Sequence, residues 1–288
     1  MLLAIDVGNT ETVVGLFADG TEELGGSGPR DGDEPAGLTH HWRLSTVSAR
    51  TADEHALLLS QLLDLDGLDI GSAVTGIAVT SSVPLVTANL RQMVSRWFDV
   101  PSLVLEPGVK SGMPILYDNP KEVGADRIAN AVGAHDLFGG PSVVVDLGTA
   151  TTFDAISEAG EYLGGAITPG VSISLDALFA NAAALRRVEL VEPRSVIGKS
   201  TVESIQSGAL YGFAGQVDGL CRRFAGELGE CTVVATGGLS ELIAPYSEEI
   251  EYVEPWLTLH GLRLIFDRNR GSRHPAGAVP AAPKLANP

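Results

Sequence analysis

The chain has 288 residues, 44% of them apolar, enough for a large core and, by length, for two similar lobes. Its 36 acidic residues outweigh 19 basic ones, giving a formal charge of −17 that excludes a nucleic-acid or anionic-membrane partner as the expected reading. An anionic substrate would therefore need metal cations or well-placed Arg and Lys. The two cysteines, Cys221 and Cys231, form no C-x-x-C pair, no apolar run has the length of a membrane span, and the N-terminus enters a strand without a basic leader. A soluble, cytoplasmic protein is expected.

In chain order, the first predicted element is a hairpin, residues 2–7 and 10–17, around D-V-G-N-T at 6–10. The same pattern returns later. LAIDVGNTETVVGLFADG at 3–20 aligns with VVVDLGTATTFDAISEAG at 143–160 at a constant offset, placing Asp6 on Asp146, Gly8 on Gly148, Asn9 on Thr149 and Gly20 on Gly160. Each copy is an apolar strand, a D-x-G-[NT] turn, a Thr-rich strand and a turn glycine. Glycine lets the backbone approach a ligand closely, and the hydroxyl and amide side chains beside it offer donors. A carboxylate at the end of a buried strand is costly unless it meets a cation or donors. Two such turns facing each other make a clamp for a phosphate chain and its metal ions.

Residues 18–37 are rich in Gly, Asp and Glu with no apolar period, and read as a long exposed connection. A third strand follows at 38–44. Thr51 and Glu54 form a capping box that opens an apolar helix through Leu63. A buried strand at 75–80 ends in S-S-V-P, a helix runs to about Trp97, and a strand lies near 103–105.

The second lobe repeats the plan. A helix is predicted over 121–138, then the second hairpin, a strand at 162–166, helices at 172–184 and 199–228, and a strand at 231–235. That last strand stops at T-G-G-L-S, mirroring 79–84. From Arg268 the composition turns Pro- and Ala-rich, which predicts a disordered tail. The expected division is 1–118, 119–267 and the tail 268–288.

Three short motifs invite chemistry. G-K-S-T at 198–201 is no P-loop, because Pro193 stands where that loop needs glycine. The Gly237-Gly238 pair after a buried strand suits close approach to a nucleotide, and equally a plain strand-to-helix turn. Gly124-Ala125-Asp126-Arg127 lies in an apolar helix after Y-D-N-P at 117–120. There Asp126 can take a proton from an attacking hydroxyl and Arg127 can hold a carboxylate by a two-pronged contact, the plain rival being a solvated acid–base pair. The six histidines form no ligand cluster and receive no role.

Taken together these motifs resemble the type III pantothenate kinases, of the superfamily that includes acetate and sugar kinases, heat-shock chaperone ATPases and actin. The resemblance runs from Met1 to about Phe266. It covers D-V-G-N-T at 6–10, T-S-S-V-P at 80–84, Y-D-N-P and G-A-D-R at 117–127, and D-L-G-T-A-T-T at 146–152. It continues through G-G-A-I-T-P-G at 164–170, G-K-S-T, T-G-G-L-S at 236–240 and L-T-L-H-G-L at 257–262. The insertion at 18–37 and the tail depart from the pattern and overlap no motif.

The resemblance implies an α/β fold of two ribonuclease-H-like lobes, a duplicated actin-like ATPase fold, with ATP in the interlobe cleft. It implies transfer of the γ-phosphoryl group of ATP to the 4′-hydroxyl of pantothenate, the first step toward coenzyme A. Mg²⁺ or another divalent cation and K⁺ or NH₄⁺ are implied as cofactors, and a homodimer with the site near the subunit interface. Residues 257–262 and the neighbouring apolar helices offer more apolar surface than one cleft needs, which fits a dimer. Carried over by position, Asp6, Val7, Gly8, Asn9 and Thr10 resemble the first phosphate turn, and Thr149 the second phosphate contact. Gly237 and Gly238 stand as further nucleotide contacts. Asp146 resembles the monovalent-cation ligand and Asp126 the proton acceptor. Mg²⁺ keeps several waters and takes only one or two carboxylates, so Asp6 alone, through water, is enough to hold it. Tyr117, Gly124, Ala125, Arg127 and, from the other subunit, Thr201 resemble the pantothenate contacts. The alternatives are an inactive family member acting as a regulatory accessory factor, or another kinase or phosphatase of the superfamily.

Overall fold

The computed structural model describes residues 1–19 and 35–270. The proposed connection at 18–37 and tail at 268–288 therefore lie largely outside the described residues. Two five-stranded mixed sheets carry the architecture. In the first, β1 (Leu2–Val7) pairs antiparallel with β2 (Glu11–Phe17), and β2 with β3 (Leu38–Ser45). On its other side β1 runs parallel to β4 (Gly76–Ser81), and β4 to β5 (Ser102–Val104). Between these strands lie α1 (Ala52–Leu65), the short α2 (Ile70–Ala73) and α3 (Pro84–Trp97). Thr51 caps α1 with the reciprocal Glu54 bonds that the sequence predicts.

A long helix, α4 (Ala125–Phe138), leads into the second sheet of β6 (Ser142–Leu147), β7 (Ala150–Ile156) and β8 (Tyr162–Pro169). Then come α5 (Val171–Asn181), α6 (Thr201–Leu228), β9 (Thr232–Thr236), α7 (Ser240–Ile243), β10 (Tyr252–Val253) and α8 (Leu257–Asn269). Read from β8, the second sheet has the order of the first read from β3. The duplication extends to detail. Both β1 and β6 are buried throughout except at the half-buried Asp6 and Asp146. Both β2–β3 and β7–β8 shift register at the matching place, Leu16/Phe17 and Ala155/Ile156.

The offset between copies is not constant. Gly8 N–H closes its turn on the Glu11 carbonyl at 2.9 Å, whereas Gly148 N–H closes on Ala150 at 3.1 Å, one residue sooner. Beyond the turn the strands are of equal length, so Thr149 corresponds to Thr10 and not to Asn9. Gly20, paired with Gly160 by sequence, lies outside the described residues.

Each sheet is covered on both faces. Leu3, Ile5, Val14 and Val79 pack under α1 and α3, through Leu59, Leu63, Leu90 and Met93. The opposite face, with Leu2, Ala4 and Phe17, takes Leu259, Leu262, Ile265 and Phe266 of α8. In the second sheet Val143, Val145 and Phe153 meet Leu210 and Val217 of α6, while Val144, Ile156 and Val234 meet Ala131 and Ala134 of α4. Helices α4 and α8 thus form a shared layer between the sheets, and they approach so closely that a Cβ on Gly261 would stand 1.8 Å from the Ala129 carbonyl oxygen.

That layer corrects three expectations. The apolar residues 257–262 are consumed inside the chain, Leu257, Leu259 and Leu262 each being 1% exposed or less, so they are no surplus for a partner. Fully burying one such leucine is worth about 1.5–3 kcal/mol, which explains why the sequence keeps the stretch apolar without a second copy. The helix drawn over 121–138 begins at Ala125, because Pro120 first closes a 3-10 turn (Pro120–Glu122) and Gly124 is extended. Finally, Arg268 and Asn269 belong to α8 rather than to a tail.

Candidate active site

The two D-x-G turns face each other. The Thr10 and Thr149 hydroxyls are 3.1 Å apart and both side chains are exposed, so the pair lies open at the mouth of the cleft. The first turn is braced from behind, Thr46 donating its hydroxyl to the Gly8 carbonyl at 2.8 Å. Val7 and Asn9 lie in the same turn, with the Val7 carbonyl accepting from the Ser82 N–H at 3.0 Å. The second turn is held in the same way, since the Leu147 carbonyl accepts from the Leu239 N–H at 3.2 Å. Residues 80–84 and 236–240 therefore do mirror each other in placement.

Four carboxylates surround the cleft. Burial pushes Asp6 well above the usual carboxylate range, and Asp126, Asp146 and Glu11 add to the effect. Burial and the Asp126 charge push Asp146 up to about 7, the Asn130 amide pulling the other way. Asn130 is fully buried and its amide is oriented on both sides. It donates to Asp146 Oδ2 at 3.1 Å and accepts from the Thr258 hydroxyl at 2.7 Å. Gly237 has φ +91°, and a Cβ there would sit 2.4 Å from Asp146 Oδ1. Only glycine fits beside that carboxylate. Gly238 follows it, its nearest side chain across the cleft being Glu11.

No group of three or more His, Cys, Asp or Glu side chains among the described residues gathers closely enough to hold a metal ion. The donor set suits cations that take one carboxylate and complete their shell elsewhere. Asp6 and Asp146, each raised by burial first and by neighbouring carboxylates second, would both ionise beside a positive charge.

The acceptor side is built at the start of α4. Gly124 is its N-cap, Ala125 its first residue, and Asp126 Oδ1 accepts the Arg127 N–H at 2.8 Å. An acid in the first turn of a helix is favoured by the dipole, a plain structural role that Asp126 fills alongside any other. Arg127 is not solvated, and its guanidinium is committed inward. Its Nε and Nη2 reach Asp154 Oδ1 at 2.8 and 2.7 Å, and Nη2 also approaches the Phe153 carbonyl at 3.4 Å. Asp154 has no exposed surface and further accepts from the Tyr162 hydroxyl at 2.7 Å. Burial works against the Arg127 charge, but Asp154 outweighs it and holds the guanidinium above its usual range. Tyr117 is exposed and tilts against Tyr162 at 6.4 Å between ring centroids.

Thr201 stands apart from this group. It opens α6 behind the Ser200 cap at an exposed edge, and among the described residues no hydrogen bond joins it to the cleft. The G-K-S-T motif is a helix start, with Glu203 gathering the Lys199 N–H and Arg194. Of the histidines, His55 is buried and His260 pairs with Asp136 at 2.8 Å. The residues that sequence reasoning missed are Asn130, Asp154, Tyr162 and Thr258. Asp154 carried a usable signal, a charge inside the apolar strand A-T-T-F-D-A-I, which requires a buried partner.

Two sheets of one topology, each offering a D-x-G turn to a common cleft, define a two-lobed α/β protein of the actin-like ATPase fold. The same fold is seen in the activator of 2-hydroxyisocaproyl-CoA dehydratase from Clostridium difficile with bound ADPNP. That chain is 13% identical with a TM-score of 0.52, over 93% of this chain and 95% of that one. Within this class the chain belongs to the type III pantothenate kinase family, whose model matches residues 2–223. It is 53% identical over 277 residues to the type III pantothenate kinase of Streptomyces griseus, covering 93% of this chain and 98% of that protein. To the type III pantothenate kinase of Saccharopolyspora erythraea it is 54% identical over 278 residues, covering 94% and 100%.

Proposed function

We propose that the protein transfers the γ-phosphoryl group of ATP to the 4′-hydroxyl of pantothenate, opening coenzyme A synthesis in the cytoplasm. The observation that carries this reading beyond family membership is the meeting of the two turns at Thr10 and Thr149, with Asp126 charge-coupled to both Asp6 and Asp146. The turns Asp6–Thr10 and Gly148–Thr149, with Gly237 and Gly238 beside them, receive the phosphates through backbone N–H groups and hydroxyls. A divalent ion near Asp6 and K⁺ or NH₄⁺ at Asp146 supply the positive charge that phosphoryl transfer needs and that a chain of net charge −17 lacks. Asp126 accepts the proton of the attacking hydroxyl. Tyr117, Gly124, Ala125 and Arg127 hold the pantothenate, Arg127 taking its carboxylate. Because Nε and Nη2 are on Asp154, that contact runs through Nη1, one prong rather than two.

The functional unit is a homodimer. Support comes from Ile167, Ile173, Leu178, Ile197 and Val202, exposed apolar side chains on β8, on α5 and around the start of α6, where Thr201 lies. A partner seated there would bring Thr201 to the other copy's pantothenate. Sedimentation at micromolar concentration checks this, a monomer counting against a shared site. Coupled ADP release, measured with and without pantothenate and with K⁺ exchanged for Na⁺, tests the activity. Release that is indifferent to pantothenate would remove the reading.

A further inference from the structure

Asp154 and Tyr162 belong to no motif, yet they join the two halves of the acceptor side. Asp154 is wholly buried, and a buried carboxylate is costly unless donors surround it. Here Arg127 Nε, Arg127 Nη2 and the Tyr162 hydroxyl all converge on Oδ1 within 2.7–2.8 Å, and the Thr152 hydroxyl reaches Oδ2 at 3.3 Å. Tyr162 is itself fully buried and works in two directions. Its side chain fixes Asp154, and its backbone fixes the segment that bears Tyr117, donating to the Pro114 carbonyl at 2.9 Å and accepting from the Leu116 N–H at 2.8 Å.

The same strand supplies the surface under both contacts. Gly164, at φ +126°, lies beneath the Tyr117 ring, where a Cβ would come within 3.5 Å. Gly165 lies beneath Arg127, where a Cβ would come within 2.8 Å of Nη2 and within 1.7 Å of the Phe153 carbonyl oxygen. Strand β8 thus presents a tyrosine as post and two glycines as floor.

We infer that Asp154 and Tyr162 are positioning residues that hold Arg127 and Tyr117 in one fixed relation, and so set the affinity for a carboxylate-bearing acceptor. The inference rests on the proposed role of Arg127 and Tyr117 as pantothenate contacts. With Nε and Nη2 tied down, the guanidinium plane is fixed and Nη1 is the edge left to read a carboxylate. Loss of the Tyr162 hydroxyl frees the carboxylate to tilt, and Arg127 with it.

Tyr162→Phe keeps the ring and removes the hydrogen bond. Bonds to charged groups are strong, and losing this one is expected to raise the KM for pantothenate about tenfold, with kcat and the KM for ATP within about twofold. The preference for pantothenate over pantothenol, which has an alcohol in place of the carboxylate, falls by a similar factor. A residue that only fills the core would shift the melting temperature and leave that preference unchanged, and such a result overturns the inference. Asp154→Asn is the stronger variant, read in the same way wherever its thermal melt shows a folded protein. Arg127→Ala separates the two levels. If it raises the pantothenate KM while Tyr162→Phe does not, the positioning role alone fails. If Arg127→Ala leaves that KM unchanged, the underlying assignment of Arg127 fails and the inference goes with it.

Discussion

The hydroxyls of Thr10 and Thr149, 139 positions apart in the chain, are hydrogen-bonded at 3.1 Å. Each sits at the same place in its own hairpin, so the contact is a duplicated element meeting its copy. ATP phosphates arriving between the turns would replace this bond with contacts to both hydroxyls. Thr10→Val and Thr149→Val should each weaken ATP binding by about tenfold or more, as expected for a lost bond to a charged group, while pantothenate affinity stays near wild type. Calorimetry with a non-hydrolysable ATP analogue checks it.

Asp126 is the residue most directly exposed to a test of chemistry. Loss of positioned proton transfer costs about two to four powers of ten in rate, so Asp126→Asn should lower kcat by that order while ATP still binds. Arg127→Lys should instead raise the KM for pantothenate with a smaller change in kcat. If Asp126 served only to hold the Arg127 N–H, its Asn variant would keep a near-normal kcat.

The Asp146 carboxyl stands at about 7 against an ordinary value of 3.8. A raised acid contributes stability that is complete below about 4 and is lost as pH rises through about 7, because the folded state holds a proton that the unfolded state has released. A cation held beside Asp146 would take the place of that proton. K⁺ should therefore raise the melting temperature more at pH 8 than at pH 6, Na⁺ should do so less, and Asp146→Asn should flatten both responses. Equal activity and equal melting temperatures in the two salts would withdraw the monovalent ion from Asp146.

His55 gives the opposite limb. Burial, with Arg50 adding to it, holds the ring at about 4 rather than 6.5. The unfolded chain takes up this proton first, so stability present above about 6.5 is lost as pH falls toward 4. Urea midpoints across that window should drop in the wild type, and His55→Leu should reduce the slope.

At Gly237 a Cβ would meet both the Asp146 carboxylate and the Leu147 backbone at a φ of +91°. Gly237→Ala should lower stability by about 1–3 kcal/mol and weaken the K⁺ response. Gly238→Ala, whose Cβ would meet nothing closer than 3.9 Å, should melt near the wild type. Thermal melts of the two variants, with and without K⁺, separate the positions.

Local chemistry made much of this protein legible from its residues in order. The apolar strands before Asp6 and Asp146, the glycine turns and the Thr51–Glu54 cap depend on neighbours a few positions away, and each forms where the sequence places it. The duplication was legible too, because both copies solve one local problem with one pattern. The one-residue slip between them was not, since it lies in which carbonyl closes each turn. What the tertiary structure alone decided are the partners of buried charge and the destination of apolar surface. Leu257, Leu259 and Leu262 looked like surface for a second copy until α8 was placed between the sheets. Arg127 looked like a free fork until Asp154 and Tyr162, 27 and 35 positions later, closed around it. Hydrophobic burial is non-directional, so a sequence shows that an apolar face must be covered without showing by what. A buried charge likewise demands an opposite charge and donors, and only the packing of β7 and β8 against α4 selects which residues supply them.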